Sequence, residues 1–543
     1  MSAVTHSYLK KCAQEGREAV MSAEAGPMEG SVLHGVCPVD LVPWEPVPIT
    51  SDAAVSDAVA SSRLAAEEWT RRSLPDRQKI LEKAARSLLE DRGQIVDLVR
   101  TEMGKLEVDA LFSEGLGPLE VLKGWARVVE RATARERIRL NPLSFPRKKA
   151  YIDLRPRGVV GVIAPWNFPV AGLYRSVYPA LLTGNGVVVK PSEYTPRSSA
   201  WFLEHLQAVL PQGLVGIVQG GGATGATLIR SGVDAVVFTG SAATGRKVAV
   251  AAAEEGIPAS LEMGGNDAAV VLEDADLDRT TAGLTQWALQ NSGQACGAIE
   301  VVYADRRIAD RLVARLAHAF SSLRAGPGPM AEVDVSPVAH AAQLASIEAH
   351  VEDARAKGGE VVSGGRRTGE GLGYEPTLID HADEEMDVVR EETFGPVLAV
   401  CRVDGPTEAI RRINRGRYGL TTSFWTRDTA RAERLAERVS CGVVTVNNHA
   451  LTGAIPELPW TGTKDSGFGV AGSRHALSTF TRPRALLIDG ASDPEPFWLP
   501  YDRSAWLLAD LLADAQLLRL ERAWRLPILL RERVRRVKSF FRR

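Results

Sequence analysis

The chain has 543 residues, more than one hydrophobic core holds, because single cores stop growing at roughly 250 to 300 residues. Its 45% hydrophobic and 24% charged residues exclude a disordered, collagen-like or disulfide-rich protein. The net charge of −2 is a cancellation: residues 519–543 carry ten Arg or Lys against two Glu, which is +8 and leaves −10 for the rest. An acidic body argues against nucleic acid as a partner.

The cysteines are scattered along the chain and form no CxxC pair, which is typical of a reducing compartment; they are Cys12, Cys37, Cys296, Cys401 and Cys441. The histidines show no zinc-ligand spacing, so no metal site is predicted. The first 16 residues lack the apolar segment of a secretory signal, and no run of 18 apolar residues occurs. These features predict a cytoplasmic protein.

In chain order, the first long elements are helices. Apolar periodicity predicts one helix over about 54–71 and a second over about 75–103, which Pro75 and Asp76 open. Short β-branched runs bounded by Gly or Pro then alternate with helix-length spacers; they begin at Gly158, Gly186, Leu214, Asp234 and Ser260. Such runs indicate buried parallel strands in a doubly wound α/β sheet, for which nucleotide binding is the usual function.

A second α/β pattern runs over about 265–446, so two domains in series are expected to enclose a cleft. Three glycine or charged motifs lie at strand ends in the first pattern. Gly220, Gly222 and Gly225 fit GxGxxG, a weak dinucleotide signature that is equally a structural turn. FTGSAATG (238–245) offers Gly240 and Ser241 to a phosphate at a helix N-terminus.

The motif KPSE (190–193) places Lys190 near Glu193 at another strand end. A carboxylate at such a position accepts ribose hydroxyls and repels a 2′-phosphate, which favours NAD over NADP. An ordinary surface ion pair is the alternative interpretation.

Seven motifs occur together in one order: PWNFP (165–169), KPSE (190–193), FTGSAATG (238–245), LEMGG (261–265), NSGQAC (291–296), EETFGP (391–396) and PWTGTKDSGFG (459–469). In these motifs the chain resembles the NAD(P)-dependent aldehyde dehydrogenases over about residues 50–490. The resemblance implies a Rossmann-type NAD domain (1–140 and 158–262), a catalytic domain (263–455) and an oligomerisation element (141–157 and 475–490). It also implies a homodimer or homotetramer.

By the same resemblance, Cys296 is the nucleophile, the side chain of Asn167 and the amide of Cys296 hold the oxyanion, and Glu262 is the base that activates water. A thiol nucleophile suits this oxidation, because the aldehyde carbon must become tetrahedral before it releases hydride. Glu457 matches a second carboxylate that some members use as a proton relay. The alternative interpretations are that Cys296 is an inert core residue, that Asn167 caps a turn and that Glu262 is an ordinary exposed glutamate.

The predicted cofactor is NAD, with NADP as the alternative. Its predicted contacts are Trp166, Lys190, Glu193, Gly240, Ser241, Glu392 and Phe394. The chain departs from the common family pattern at Asn266, at Met263 and in the sequence Gly297–Glu300 that follows the nucleophile. These departures remove no catalytic group but leave the substrate open.

Two alternative functions remain at this stage. A CoA-acylating dehydrogenase would release its thioester to CoA, which the presence of Glu262 disfavours. A binding protein on the same fold would need no catalytic set, and this chain has one in Asn167, Glu262 and Cys296.

The predicted extension (491–543) follows the last family motif. Leu508, Leu511, Leu512, Ala515 and Leu518 follow helical spacing, and Pro527 separates a second segment with apolar Leu530, Val534, Val537 and Phe541 beside its arginines. A cationic amphipathic helix is typical of anionic membrane surfaces, which residues 506–543 would bind as a peripheral element. Docking on its own or a neighbouring subunit is the other interpretation.

Overall fold

The computed structural model describes residues 28–142, 144–328, 331–369, 371–519 and 521–542, and Cys12 lies outside them. The chain forms two units. The first contains the described residues up to Thr133 together with Arg155–Arg482, and the second contains Ala134–Leu154 and Pro483–Arg543.

The strands are β1 (Met28–Glu29), β2 (Val32–Leu33), β3 (Val47–Pro48), β4 (Glu136–Ile138), β5 (Lys148–Pro156), β6 (Val159–Ile163), β7 (Gly186–Lys190), β8 (Val215–Ile217), β9 (Ala235–Gly240), β10 (Ala259–Met263), β11 (Asp267–Val271), β12 (Ile299–Asp305), β13 (Glu360–Ser363), β14 (Thr377–Asp380), β15 (Val397–Val403), β16 (Thr421–Trp425), β17 (Val443–Val446), β18 (Gly467–Phe468) and β19 (Thr481–Asp489).

The α-helices are α1 (Asp52–Trp69), α2 (Leu74–Glu90), α3 (Arg92–Met103), α4 (Glu107–Ala110), α5 (Pro118–Thr133), α6 (Ala171–Leu182), α7 (Pro196–Gln207), α8 (Gly222–Arg230), α9 (Ala242–Glu254), α10 (Leu277–Leu289), α11 (Arg306–Ser322), α12 (Ala341–Ala356), α13 (Asp387–Arg390), α14 (Pro406–Arg415), α15 (Thr429–Ala436), α16 (Leu477–Phe480), α17 (Arg503–Gln516) and α18 (Leu526–Phe541).

A six-stranded sheet in the first unit has the order β18-β10-β9-β6-β7-β8, and every strand except β18 runs parallel to its neighbours. Alternate residues of β7 enter different apolar clusters: Val187 and Val189 pack in one, and Val188 packs in the other. Both faces of the sheet are therefore covered, which is why its strands are continuous apolar runs. The five strands predicted from these runs are all present, and the α/β fold class is confirmed.

A seven-stranded sheet of the same unit has the order β13-β14-β15-β12-β11-β16-β17, and only β13 is antiparallel. The sequence pattern did not predict β16, because its sequence TTSFW starts with three polar residues. The strand is nevertheless buried throughout. The amide and hydroxyl of Thr421 both donate to the carboxylate of Asp267, each at 2.9 Å, so the polar groups at the start of the buried strand are satisfied.

The single helix predicted over 75–103 is wrong at its centre. Helix α2 ends at Glu90 and α3 begins at Arg92, with Asp91 between them at φ −89°, ψ 15°. Asp competes for backbone hydrogen bonds and Gly93 is a poor helix former, so the break falls where helix propensity is lowest.

In the second unit, β4 pairs with β5 in an antiparallel manner, and Asp153 of β5 binds both Arg135 and Arg484 at 2.8 Å. Helices α17 and α18 pack against each other. Pro527 lies in the first turn of α18, so it starts that helix instead of interrupting one.

The buried faces of this helical pair differ in part from the predicted ones. Leu508 and Leu511 are buried as expected, but Leu512 and Leu518 are exposed. Arg533 is fully buried and donates to the carbonyl oxygens of Pro496, Trp498 and Pro500. Arginine fills this position because its planar guanidinium carries several N–H donors and can satisfy three carbonyl groups at once. Within the described ranges, no helix has the length and apolarity needed to cross a bilayer.

Candidate active site

The carboxyl ends of the parallel strands bring polar residues to one edge of the six-stranded sheet. Strand β7 ends at Lys190, β9 ends at Gly240, and β10 carries Glu262 next to its last residue. The loop after β6 contains Trp166 and Asn167. Ligands of parallel α/β sheets bind beyond such strand ends.

A cavity of about 620 Å³ lies at this edge. All seven residues that the sequence assigned to the cofactor line it, namely Trp166, Lys190, Glu193, Gly240, Ser241, Glu392 and Phe394. Gly221, Gly222 and Gly225 also line it, so the glycine-rich turn borders the same cavity, with α8 starting at Gly222. The structure thus brings together residues that lie up to 228 positions apart in the chain.

The chemistry of this cavity fits a dinucleotide. Lys190 Nζ donates to Glu193 Oε2 at 3.0 Å, which leaves the other carboxylate oxygen for ribose hydroxyls. Ser241 caps α9 by accepting from the amide of Thr244, so the free amides of this helix face the cavity edge. A side chain at Gly240 would clash with Phe238, because its Cβ would lie 2.6 Å from that ring. The glycine therefore leaves the backbone accessible to a ligand at this point.

The EETFGP loop forms another wall of this cavity. Glu392 Oε1 accepts from the amide of Gly265 at 3.2 Å, and a Cβ on Gly264 would lie 2.0 Å from the same carboxylate. The rings of Trp166 and Phe394 meet edge to face with centroids 5.4 Å apart. A carboxylate and two aromatic rings therefore surround the inner end of the cavity.

A second cavity, of about 400 Å³, opens on the opposite side of the same residues. Five residues line both cavities: Pro165, Asn167, Thr239, Glu262 and Cys296. The predicted nucleophile, base and oxyanion donor therefore all stand where the two cavities meet. A larger cavity of about 1000 Å³ shares only Phe112 and Gln290 with the second one and contains none of these three residues.

A strained turn holds Cys296. Asn291 and Ser292 adopt left-handed backbone conformations, with φ of 53° and 56°, which are rare outside glycine. Gly293 also has positive φ, and a Cβ there would lie 2.0 Å from the carbonyl oxygen of Gly395. The nucleophile turn is thus packed directly on the EETFGP loop.

Burial sets the acidities of the thiol and the carboxyl. It raises the pKa of the Cys296 thiol to about 12 and the pKa of Glu262 to about 7, while the charge of Arg175 lowers both. At neutral pH the thiol therefore keeps its proton until a base takes it. A carboxyl with a pKa near 7 exchanges protons readily at that pH, which suits a general base.

The loop that carries Asn167 is fixed by a buried ion pair. Asn167 Nδ2 donates to the carbonyl oxygen of Gln294 at 3.0 Å, so its amide points toward the nucleophile turn. Lys105 Nζ donates to the backbone oxygen of Asn167 at 3.0 Å and to Glu114 at 2.7 Å. Glu114 in turn accepts the amides at the start of α6. The sequence analysis did not identify this pair.

Arg175 is the main functional candidate that sequence reasoning missed. It lies on α6 in the second cavity and stacks on the ring of Trp460 at 5.3 Å. Among the described residues that line this cavity, it is the one cation. It lies outside every motif of the sequence analysis, eight residues after Asn167, so no local pattern could have identified it.

Glu457, the predicted relay carboxylate, lies outside the second cavity. Its carboxylate binds Arg127 at 2.7 Å. Across the part of the chain that the structure describes, no group of three or more His, Cys, Asp or Glu side chains could hold a metal ion.

Comparison with known proteins agrees with this arrangement. Residues 28–486 match the model of the aldehyde dehydrogenase family. The chain belongs to the aldehyde dehydrogenase family. It is 34% identical over 478 residues to 4,4'-diapolycopene aldehyde oxidase of Methylomonas sp, covering 88% of this chain and 89% of that protein. It is 32% identical to a putative succinate-semialdehyde dehydrogenase [NADP(+)] 2 of Mycobacterium bovis, covering 82% and 86%.

Solved aldehyde dehydrogenase structures share the fold. The NADP complex of NADP-dependent glyceraldehyde-3-phosphate dehydrogenase from Bacillus halodurans matches with TM-score 0.80 and 33% identity, over 85% of this chain and 96% of that one. The NAD+ complex of an aldehyde dehydrogenase from Mycobacterium tuberculosis matches with TM-score 0.80 and 29% identity, over 86% and 96%. The predicted family, the predicted enzyme class and a nicotinamide dinucleotide cofactor are confirmed at this level.

Replacing Arg175 by Gln is expected to shift the pH dependence of turnover. The cation lowers the pKa of Glu262 against the effect of burial, so its loss raises that pKa. Because a general base works only in its ionised form, the predicted role of Glu262 implies that the acidic limb of the pH–rate profile moves to higher pH. Steady-state rates between pH 5.5 and 9 measure it. Arg127→Gln, which removes a partly exposed Arg that pairs with Glu457, should leave the profile in place.

Proposed function

We propose that the chain oxidises an aldehyde to its carboxylic acid with NAD, through a thioester on Cys296. Water activated by Glu262 then hydrolyses this thioester. The observation that supports this most directly is the meeting of the two cavities at Cys296, Glu262 and Asn167. An aldehyde in one cavity and a nicotinamide in the other would face each other across the sulfur.

Each residue has a distinct task in this proposal. The Cys296 sulfur bonds to the aldehyde carbon as Glu262 accepts the thiol proton. The carbonyl oxygen becomes an oxyanion, and Asn167 Nδ2 and the amide of Cys296 donate to it. When bound, NAD supplies the acceptor for the hydride that leaves this carbon. Glu262 gives up the thiol proton to solvent and then takes a proton from water as the water oxygen bonds to the thioester carbon. The carbon–sulfur bond breaks, which releases the acid and the Cys296 thiolate.

Cys296→Ala is expected to abolish turnover, because no other group would then bond to the aldehyde carbon, while NAD binding persists. The wild-type protein should form free acid without CoA. Assays of NADH and acid production, with and without CoA, check both points. Strict dependence on CoA would favour the acylating alternative, and turnover by Cys296→Ala would contradict the covalent route. A binding protein on this fold would show no turnover at all.

The choice of NAD over NADP rests on Glu193. Its carboxylate stands at the end of β7, paired only on one side by Lys190, where a 2′-phosphate would meet a negative charge. The relatives include an enzyme named for NADP and a structure bound to NAD+, so their names do not decide the cofactor of this chain.

Glu193→Gln should raise kcat/KM with NADP by about tenfold, because it removes roughly 1.4 kcal/mol or more of repulsion at the phosphate. Initial rates with each cofactor measure the change. A wild-type preference for NADP would contradict the assignment.

The second cavity favours an apolar aldehyde. Its walls include Trp125, Phe168, Trp287, Ile455 and Trp460, and Arg175 lies flat on one of these rings. The relatives are named for different substrates, 4,4'-diapolycopene aldehyde and succinate semialdehyde. We therefore expect a higher kcat/KM for decanal than for succinate semialdehyde, and the reverse order would assign Arg175 to a substrate carboxylate.

A homo-oligomer is also proposed. Strand β19 is an edge strand of the three-stranded sheet, and its Leu487 and Ile488 are exposed. An edge with apolar side chains is a surface that proteins usually cover. Light scattering of the full chain gives its mass in solution, and a monomer would contradict the proposal.

The C-terminal part of the second unit is proposed to bind an anionic lipid surface. Large apolar side chains are exposed there in unusual number; they are Phe497, Trp498, Leu499, Tyr501, Trp506, Leu517, Trp524, Ile528, Phe540 and Phe541. Exposed Arg531, Arg535 and Arg542 lie on the same helix as the two phenylalanines or directly after it. Aromatic and cationic side chains together are typical of surfaces that bind the lipid headgroup region.

Replacing both Phe540 and Phe541 by Ser should reduce sedimentation with phosphatidylglycerol vesicles several-fold at low salt, because each ring loses its place in the interface. Phe145→Ser, which alters an exposed phenylalanine of the same unit outside 506–543, is the matched control. Equal sedimentation of both variants and the wild type would refute the lipid interpretation in favour of docking on a subunit.

A further inference from the structure

Glu300 is a buried carboxylate near Cys296 that the proposed mechanism does not use. Glu300 lies in β12, four residues after Cys296, in the stretch where the sequence departs from the common family pattern. Its side chain is only 3% exposed. Burying a carboxylate without compensation is costly, so its partners identify what it stabilises.

Both oxygens of Glu300 bind the EETFGP loop. Oε2 accepts from the amide of Thr393 at 2.6 Å, and Oε1 accepts from the amide of Phe394 at 3.0 Å. Two successive backbone amides therefore point at one carboxylate. Burial raises the pKa of Glu300, and the two amide hydrogen bonds lower it because they favour the ionised carboxylate. They also hold two adjacent peptide units in one orientation.

That orientation is not one the loop would adopt without restraint. Phe394 has φ of 52°, the left-handed conformation that a side chain with a Cβ rarely takes. Such a conformation persists only where the surroundings over-determine it. Gln343 Nε2 adds a hydrogen bond to the carbonyl oxygen of Thr393 at 2.9 Å, on the other side of the same peptide.

The restrained loop carries two groups of the cofactor cavity. Phe394 presents its ring to Trp166, and Glu392 lies one residue before Thr393 with its carboxylate against Gly264 and Gly265. Because β12 leads directly from the Cys296 turn, Glu300 ties the position of these groups to the strand that carries the nucleophile.

We propose that Glu300 is a positioning residue for the nicotinamide side of the site: it holds Phe394 and Glu392 in register with Cys296 by binding the two loop amides. This inference rests on the proposed function, since it assigns the loop to the nicotinamide end of NAD. Glu300 itself lines neither the cofactor cavity nor the second cavity.

The test is Glu300→Gln in the full-length protein, with NAD binding measured by titration calorimetry and turnover by steady-state kinetics. The glutamine retains one acceptor but turns an amide donor toward one of the loop N–H groups. The dissociation constant of NAD should rise about tenfold or more, as expected for losing a hydrogen bond to a charged group. The KM for aldehyde at saturating NAD should stay within about threefold of the wild-type value.

Asp274→Asn is the matched control. Asp274 also accepts two backbone amides, those of Arg427 and Asp428, but it follows the carboxyl end of β11, whereas Gly265, which donates to Glu392, precedes the start of that strand. Both variants should lose thermal stability, and only Glu300→Gln should lose NAD affinity. NAD affinity within twofold of wild type in Glu300→Gln, or an equal loss in Asp274→Asn, would overturn the proposal.

A double-mutant cycle with Glu392→Gln separates positioning from an independent role. If Glu300 acts through the loop, adding Glu300→Gln to Glu392→Gln should cost clearly less NAD affinity than it costs alone. Full multiplication of the two losses would contradict action through Glu392. Failure of the proposed function is distinguishable, because wild-type protein would then show no NAD binding or no aldehyde oxidation.

Discussion

The proposed chemistry depends on one electrostatic constraint: burial makes both the Cys296 thiol and the Glu262 carboxyl weaker acids than usual. Burial raises the pKa of Cys296 to about 12 and that of Glu262 to about 7. The thiol therefore keeps its proton at neutral pH, and we assign the removal of that proton to Glu262, which lines both cavities together with Cys296. Arg175 offsets part of the burial effect on both groups, which explains why a cation lies in an otherwise aromatic cavity.

The geometry around this pair is held by buried carboxylates that do no chemistry. Glu114, bound to Lys105, fixes the loop of Asn167, and Glu300 fixes the loop of Phe394. Each accepts two backbone amides, so each sets peptide orientation as well as position. Preorganised donors stabilise a developing oxyanion because they need no rearrangement during the reaction.

Much of this could be predicted from sequence. Lys190, Gly240 and Glu262 were placed at strand ends by buried apolar runs, and parallel strands bring such ends to one edge. Strand β16 could not be found this way, because it begins with polar residues and its first, Thr421, is satisfied by Asp267, a partner 154 positions away. Arg175 carried no local pattern either. The two C-terminal helices were predicted, but Arg533 faces inward because three carbonyl oxygens converge on it, which periodicity cannot show.

The central claim is that Cys296 carries the acyl group and Glu262 releases it. Peptide mass spectrometry of the wild-type protein, mixed with NAD and an aldehyde and quenched in acid during the first turnover, tests it most directly, with Glu262→Gln treated in the same way. We predict a transient acyl adduct on the peptide that contains Cys296, formed with about one equivalent of NADH and lost as free acid appears, and much slower formation of adduct and NADH in Glu262→Gln, because its thiol has no base to take the proton. NADH formation without an adduct on that peptide, or turnover of Glu262→Gln at the wild-type rate, would contradict the claim.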